Sequence, residues 1–105
     1  MKAAAFAMEV HVIMLRLVTA FMRSSGDEGI LILDQAGFNE IAVVDKQALL
    51  DVASPPRADE SRLQNNLELF CDIVRVKRKL RKVESDGRVH VSASDISDWK
   101  SGRVQ

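Results

Sequence analysis

The first apolar stretch of the chain is interrupted by charged residues at a regular spacing. Four of them recur every seven positions: Lys2, Glu9, Arg16 and Arg23. On an α-helix this spacing places the four side chains in one narrow polar stripe and leaves the other sides apolar. The pattern therefore predicts an N-terminal helix over residues 3–22, and this helix needs a surface to pack on, either the rest of the domain or a second copy of the chain.

Two short apolar runs follow, and they predict a β-hairpin. Residues 30–33 and 41–44 are rich in β-branched side chains, and Gly37 lies in the gap between them. Asp45 then provides an N-cap for a short helix over residues 48–52. Two prolines at positions 55–56 end that helix.

The clearest helical pattern begins near Asp59 and ends near Val83. Its first half carries apolar side chains on two neighbouring strips, so we expect two surfaces to cover it. In its second half only one strip stays apolar, and the opposite side is basic, with Arg75, Arg78, Lys79 and Lys82. A turn at residues 85–87 and the alternation over residues 88–93 predict a strand, and one capped helical turn around Ile96 and Trp99 precedes the end of the chain.

Together these elements predict an α+β fold. A small antiparallel sheet, formed by the hairpin plus a C-terminal strand, is packed by the long helix and preceded by the apolar N-terminal helix. The predicted organisation is an apolar segment over residues 1–25, one α+β domain over residues 26–96 and a C-terminal tail over residues 97–105.

The order of elements resembles a family of small bacterial proteins, the domain of unknown function 1488 family. The matching pieces are the hairpin at 29–44, the run at 45–51, the long helix with Asn66, Leu67, Phe70 and Ile73, and the run at 86–91. The resemblance covers residues 29–96, about two thirds of the chain, and it implies a compact α+β domain without an assigned activity, cofactor or catalytic residue. Residues 1–25 lie outside it, so we expect them to be an extension or to precede the native start.

Composition adds that the chain forms one folded domain with segregated charge. Its 105 residues are 47% apolar and 29% charged, which is typical of a globular domain. The formal net charge is zero, yet residues 26–71 carry nine acidic and three basic side chains, whereas residues 72–105 carry nine basic and five acidic ones. The basic side of the long helix is therefore the candidate polyanion-binding surface, with Arg75, Arg78, Lys79 and Lys82. It also fits a solvated helix face that complements the helix dipole, or a surface for an acidic protein.

No residue pattern predicts an enzyme, a metal site or a cofactor. His90, Ser92 and Asp95 are the residue types of a hydrolytic triad, but the Gly-x-Ser-x-Gly turn that presents such a serine does not occur. His11 and His90 lack further ligands at metal-binding spacing. The single cysteine, Cys71, sits in a helical pattern where a small apolar residue would serve equally well, and it favours a reducing compartment.

The charged positions of the first segment argue against a membrane span or a signal peptide. Glu9, His11 and Arg16 fall inside residues 3–22, and a charge at the centre of a span costs about 2.5–3.5 kcal/mol.

From all these patterns we expect a cytoplasmic, non-enzymatic binding protein that acts as a homo-oligomer or on a protein partner. The alternative is a nucleic-acid-binding accessory protein that uses the basic face of the long helix.

Overall fold

The computed structural model describes residues 15–102, which form a four-stranded sheet and four helices. The strands are β1 (Arg16–Met22), β2 (Glu28–Gln35), β3 (Phe38–Asp45) and β4 (Val89–Val91). The helices are α1 (Lys46–Asp51), α2 (Glu60–Asn65), α3 (Leu67–Lys79) and α4 (Ala93–Lys100). The predicted α+β class and the long helix after the hairpin are confirmed. None of the helices among these residues is long and apolar enough to cross a membrane.

The strands lie in the order β1, β2, β3, β4, and the first three form an antiparallel meander. The tight turn between β2 and β3 consists of Ala36 and Gly37, both with positive φ, 53° and 87°. Two central residues with positive φ give the type I′ geometry that matches the twist of a hairpin, and glycine adopts it without steric cost. The hairpin prediction is therefore confirmed, with Gly37 at the turn.

One face of the sheet forms the core together with the helices. Side chains at alternate strand positions, among them Leu31, Leu33, Val44 and Val91, pack in one cluster with buried helix residues such as Phe70. We call this the helix-side core. The other alternate positions of the strands point to the opposite face, which we call the second face of the sheet.

The predicted antiparallel sheet is wrong in one pairing, because β4 lies parallel to β3. Ala42, Val43 and Val44 pair with Val89, His90 and Val91 in the same direction. A parallel neighbour requires a crossover connection, and α1, α2 and α3 provide it on one side of the sheet. The sequence marks the strand but not its direction, since both directions alternate buried and exposed side chains.

The predicted N-terminal helix is wrong over Arg16–Met22, which is β1. Valine, threonine and phenylalanine favour a strand, and β2 offers a complete hydrogen-bonding edge that decides the ambiguous pattern. Residues 3–14 of that prediction lie outside the described residues. The predicted domain boundary at Gly26 falls in the β1–β2 turn, so the segment over residues 1–25 supplies one strand of the sheet.

The single long helix of the prediction is divided in two at Asn66. Asp59 caps α2 as its side chain accepts a hydrogen bond from the Arg62 backbone N–H at 2.8 Å. Asn66 leaves helical geometry, with φ −124° and ψ 21°, and its side-chain amide donates to the Arg62 carbonyl. The helix also ends earlier than Val83, at Lys79. In contrast, α4 is longer than one turn and extends to Lys100, into the predicted tail over residues 97–105.

Side chains of the helices cover the outer edge of β1. The carboxylate of Glu60 accepts a hydrogen bond from the Met22 N–H at 3.1 Å, and the amide of Gln64 donates to the Ala20 carbonyl at 2.9 Å. Unpaired backbone groups on an edge strand attract a strand of another molecule. These two contacts occupy such groups, so this end of β1 is protected against edge-to-edge pairing.

Candidate anion-binding groove

A groove of about 490 Å³ lies at the hairpin end of the sheet, between α3 and the start of β1. Leu15 directly precedes β1, and Gln35 is the last residue of β2. The other lining residues belong to α3 or to the turn after it: Arg75, Val76, Arg78, Lys79 and Arg81. An apolar floor with several cations around it can accept an anion that has an apolar body.

The helix places three of the four predicted polyanion-binding residues in this groove. Arg75, Arg78 and Lys79 are spaced by three and four residues, which puts them on neighbouring positions of one helix face. The opposite face is fixed by burial of Phe70 and Val74 in the helix-side core. The basic side of α3 is therefore turned away from the core.

The fourth predicted residue, Lys82, does not line the groove, and Arg81 takes its place. The chain leaves α3 by a Schellman motif: the Arg81 N–H donates to the Arg78 carbonyl at 3.0 Å, and the Lys82 N–H donates to the Lys77 carbonyl at 2.8 Å. Arg81 occupies the left-handed position of this motif, with φ 60°, where glycine is the usual residue. This reversal carries Lys82 off the helical path on which its spacing was predicted.

Two of the groove cations already have partners. The Nε and Nη2 atoms of Arg75 donate to the Leu15 carbonyl at 3.0 and 2.9 Å, and its Nη1 contacts the carboxylate of Asp72 at 3.0 Å. Arg78 forms an ion pair with Glu40, 2.5 Å between Nη2 and Oε1. Arg75 thus anchors the start of β1 to the helix, and Arg78 joins the helix to β3.

The remaining cations of the groove, Lys79 and Arg81, have no ion-pair partner in the described part of the chain. Among residues 15–102, neither Lys79 nor Arg81 has an ion pair, and both are exposed. The Nε atom of Arg78 is buried and has no hydrogen-bond partner in the same part of the chain. Asp72 and Glu40 neutralise one arginine each, so the groove retains the positive charge of Lys79 and Arg81.

Lys77 is turned away from the groove and joins α3 to the other end of the domain. Its ammonium group donates to the His90 carbonyl and to the carboxylate of Asp95, both at 2.8 Å. Burial alone would raise the pKa of Asp95, but hydrogen bonds from Lys77 and Ser92 outweigh it and lower the pKa. The carboxylate therefore stays ionised within a partly buried network.

The residues that resemble a hydrolytic triad have other roles here. Ser92 and Asp95 form the capping box at the N-terminus of α4, in which each side chain accepts a hydrogen bond from the other's backbone N–H. His90 lies on the second face of the sheet, with Nδ1 at 4.0 Å from the carboxylate of Asp45. Over residues 15–102, there is no group of three His, Cys, Asp or Glu side chains that could hold a metal ion.

Cys71 is part of the helix-side core. Burial raises the pKa of its thiol, and this effect is larger than the opposing effect of Arg75. A buried thiol with a raised pKa reacts slowly, because the thiolate is the reactive form. The packing role expected from the sequence therefore agrees with its position.

Sequence reasoning missed three features of the groove. Leu15 and Gln35 come from strand ends, and only the tertiary structure brings them to α3. Glu40, the partner of Arg78, is also far from α3 along the chain, so the sequence did not indicate this ion pair.

No protein-family model, curated protein or solved structure matches this chain, so the resemblance to the domain of unknown function 1488 family stays a prediction.

Proposed function

We propose that this protein is a non-enzymatic binding domain whose groove binds an anionic ligand. The observation that carries the proposal is the pair of cations Lys79 and Arg81, which form no ion pair within residues 15–102, beside the Nε atom of Arg78, which has no hydrogen-bond partner there. A groove of about 490 Å³ falls within the roughly 300–1,000 Å³ of small-molecule sites. The two cations attract the anion, and the apolar lining of the groove selects for the body attached to it.

The preferred ligand is a phosphate or carboxylate group attached to an apolar body. A guanidinium group offers parallel donors that match two oxygens of such an anion, and the Arg81 guanidinium forms no ion pair within residues 15–102. Lys79 adds a point charge. Leu15 and Val76 provide apolar surface against which the body of the ligand can pack.

Nucleic acid is the second candidate, and it would use the same end of α3 differently. Lys79, Arg81 and Lys82 are exposed without ion-pair partners among residues 15–102, and three such cations could contact successive phosphates. Arg75 and Arg78 contribute less, because each is already paired with a carboxylate. Lys82 distinguishes the two candidates, because it could contact the phosphates of a nucleic acid but lies outside the groove.

The test is a titration of the full chain, followed by NMR, with phenyl phosphate and separately with a single-stranded oligonucleotide. We expect Lys79→Gln and Arg81→Gln each to weaken phenyl phosphate binding by about tenfold, as loss of a charge-assisted hydrogen bond predicts. The matched controls are Lys82→Gln, which is near the groove but not in it, and Lys46→Gln, an exposed lysine at the other end of the sheet.

Three outcomes separate the proposals. Loss of phenyl phosphate binding with Lys79→Gln but not with Lys82→Gln supports the groove. Oligonucleotide binding that falls steeply with salt and weakens with Lys82→Gln supports the nucleic-acid candidate instead. No saturable binding of either probe, or equal weakening by Lys46→Gln, contradicts both.

We also propose that the protein associates with copies of itself in the cytoplasm. Among residues 15–102 four large apolar side chains are exposed, including Val18 at 59% and Phe38 at 74% of their surface, and such residues support a protein contact. The unpaired Cys71 is compatible with a reducing compartment. Sedimentation of the full chain beside its Phe38→Ser variant tests the oligomer, and a monomer at every concentration would contradict it.

A further inference from the structure

The second face of the sheet carries an apolar surface that does not belong to the helix-side core. In one cross-strand row Phe21 pairs with Ile30, and Ile30 pairs with Val43. In the next row Ile32 pairs with Ile41. None of these five side chains belongs to the cluster that the sheet forms with the helices.

Two of these side chains are nevertheless buried. Ile30 exposes 7% of its surface and Val43 exposes 1%. Side chains on an open sheet face keep contact with water, so exposures this low indicate that an apolar layer covers the middle of the face. The buried helix residues among 15–102 all lie in the helix-side core, so the helices in that part of the chain do not provide this layer.

We propose that residues 1–14 of the same chain are that layer. Eleven of these fourteen residues are apolar, the exceptions being Lys2, Glu9 and His11. The segment joins the sheet at Leu15, next to the pairing of Arg16 with Asp34 at the hairpin end. It therefore starts at the hairpin end of β1, which is an edge strand, and a chain leaving an edge strand can turn onto either face of the sheet.

The length of the segment suffices for this role. Four strands about 4.8 Å apart span about 14 Å from the first to the last strand. Fourteen residues reach about 21 Å even at the 1.5 Å rise per residue of a helix, the more compact of the regular conformations. Residues 1–14 can thus cross the whole face from their attachment at Leu15.

The proposal does not depend on the anion-binding groove, which lies on the helix side of the sheet. Its test is NMR on the native full chain with labelled methyl groups of isoleucine, valine and methionine. We expect nuclear Overhauser effects from Met8 or Ile13 to Ile30 and Val43. A mixture of labelled and unlabelled chains shows whether each effect arises within one chain or between two.

Effects within one chain support the proposal. Effects seen only between chains would assign the face to a second copy and overturn it, and absence of any effect from residues 1–14 to the face would also overturn it. As a second measurement, Phe6→Asp is expected to shift the methyl signals of Ile30 and Val43 while leaving that of Ile96 in the helix-side core unchanged. Its matched control is Glu9→Gln, a change at one of the polar positions of the segment, which should leave all three signals in place.

Discussion

Replacing Arg81 with glycine is expected to stabilise the fold and weaken anion binding at the same time. Arg81 holds the left-handed position of the Schellman motif after α3, with φ 60°. A side chain in this conformation crowds its own backbone, whereas glycine adopts it freely. The same residue lines the groove and is one of its two cations without an ion pair among residues 15–102.

The size of the stability change follows from two opposing contributions. Relief of the left-handed conformation contributes about 1–2 kcal/mol. Glycine also has more conformational freedom in the unfolded chain, which destabilises the folded state by roughly 0.5–1 kcal/mol. The net stabilisation is therefore about 0–1.5 kcal/mol, with a midpoint near 0.75 kcal/mol, and for a domain of this size each kcal/mol corresponds to roughly 4–8 °C in the thermal midpoint.

Thermal and urea unfolding of the full chain measure this change, and Arg81→Ala is the matched control. Alanine removes the charge but keeps the left-handed conformation, so Arg81→Gly should be more stable than Arg81→Ala while both lose phenyl phosphate affinity equally. If Arg81→Gly is no more stable than Arg81→Ala, the left-handed position carries no cost and the reasoning is refuted. If phenyl phosphate binds both variants as tightly as the native chain, Arg81 plays no part in the groove.

Three further changes test the fold around the groove. Asp95→Ala should lower the free energy of unfolding by about 2 kcal/mol at neutral pH, the worth of hydrogen bonds to a charged group. Because the pKa of Asp95 is lowered in the folded chain, the charge-dependent part of this difference should begin to shrink below the ordinary aspartate pKa of about 4 and be lost below the lowered pKa; a difference that does not shrink between pH 7 and pH 3 in urea unfolding would contradict it. Gly29→Ala should lower the free energy of unfolding by about 1–2 kcal/mol, because the added Cβ would lie 2.9 Å from Cδ1 of the buried Leu63. A smaller loss when the same change is made together with Leu63→Ala would confirm this contact, and an equal loss would contradict it. The double change Glu60→Ala and Gln64→Ala uncovers the edge of β1 and should increase light scattering on warming, and unchanged scattering would show that these side chains do not protect the edge.

Local patterns were sufficient to predict the elements that local interactions decide. The hairpin depends on Gly37 and two adjacent apolar runs, and Asp59 caps its helix through the backbone three residues ahead. The break at Asn66 had a signal that was overlooked, namely two consecutive asparagines inside a helical pattern. In such cases the deciding groups are close together in the sequence.

The sequence did not predict features that depend on contacts between residues far apart in the chain. Residues 16–22 suit a helix or a strand about equally, and the edge of β2 selects the strand. The spacing of Arg75, Arg78 and Lys79 predicted that these three residues share one helix face, but the position of Arg81 in the groove instead of Lys82 depends on a left-handed turn made without glycine. Periodicity along a helix cannot anticipate the point at which that helix reverses.

The parallel pairing of β3 with β4 has a consequence for synthesis on the ribosome. The meander of β1, β2 and β3 needs only neighbouring residues and can form early, but the outer edge of β3 pairs with residues that lie 47 positions later, from Val44 to Val91. At about 5–20 residues per second, that edge remains without its partner for roughly 2–10 s after β3 has been made. During this interval Ala42 and Val44 present an apolar strand edge, so a nascent chain of this protein offers a surface for chaperones that the finished fold conceals.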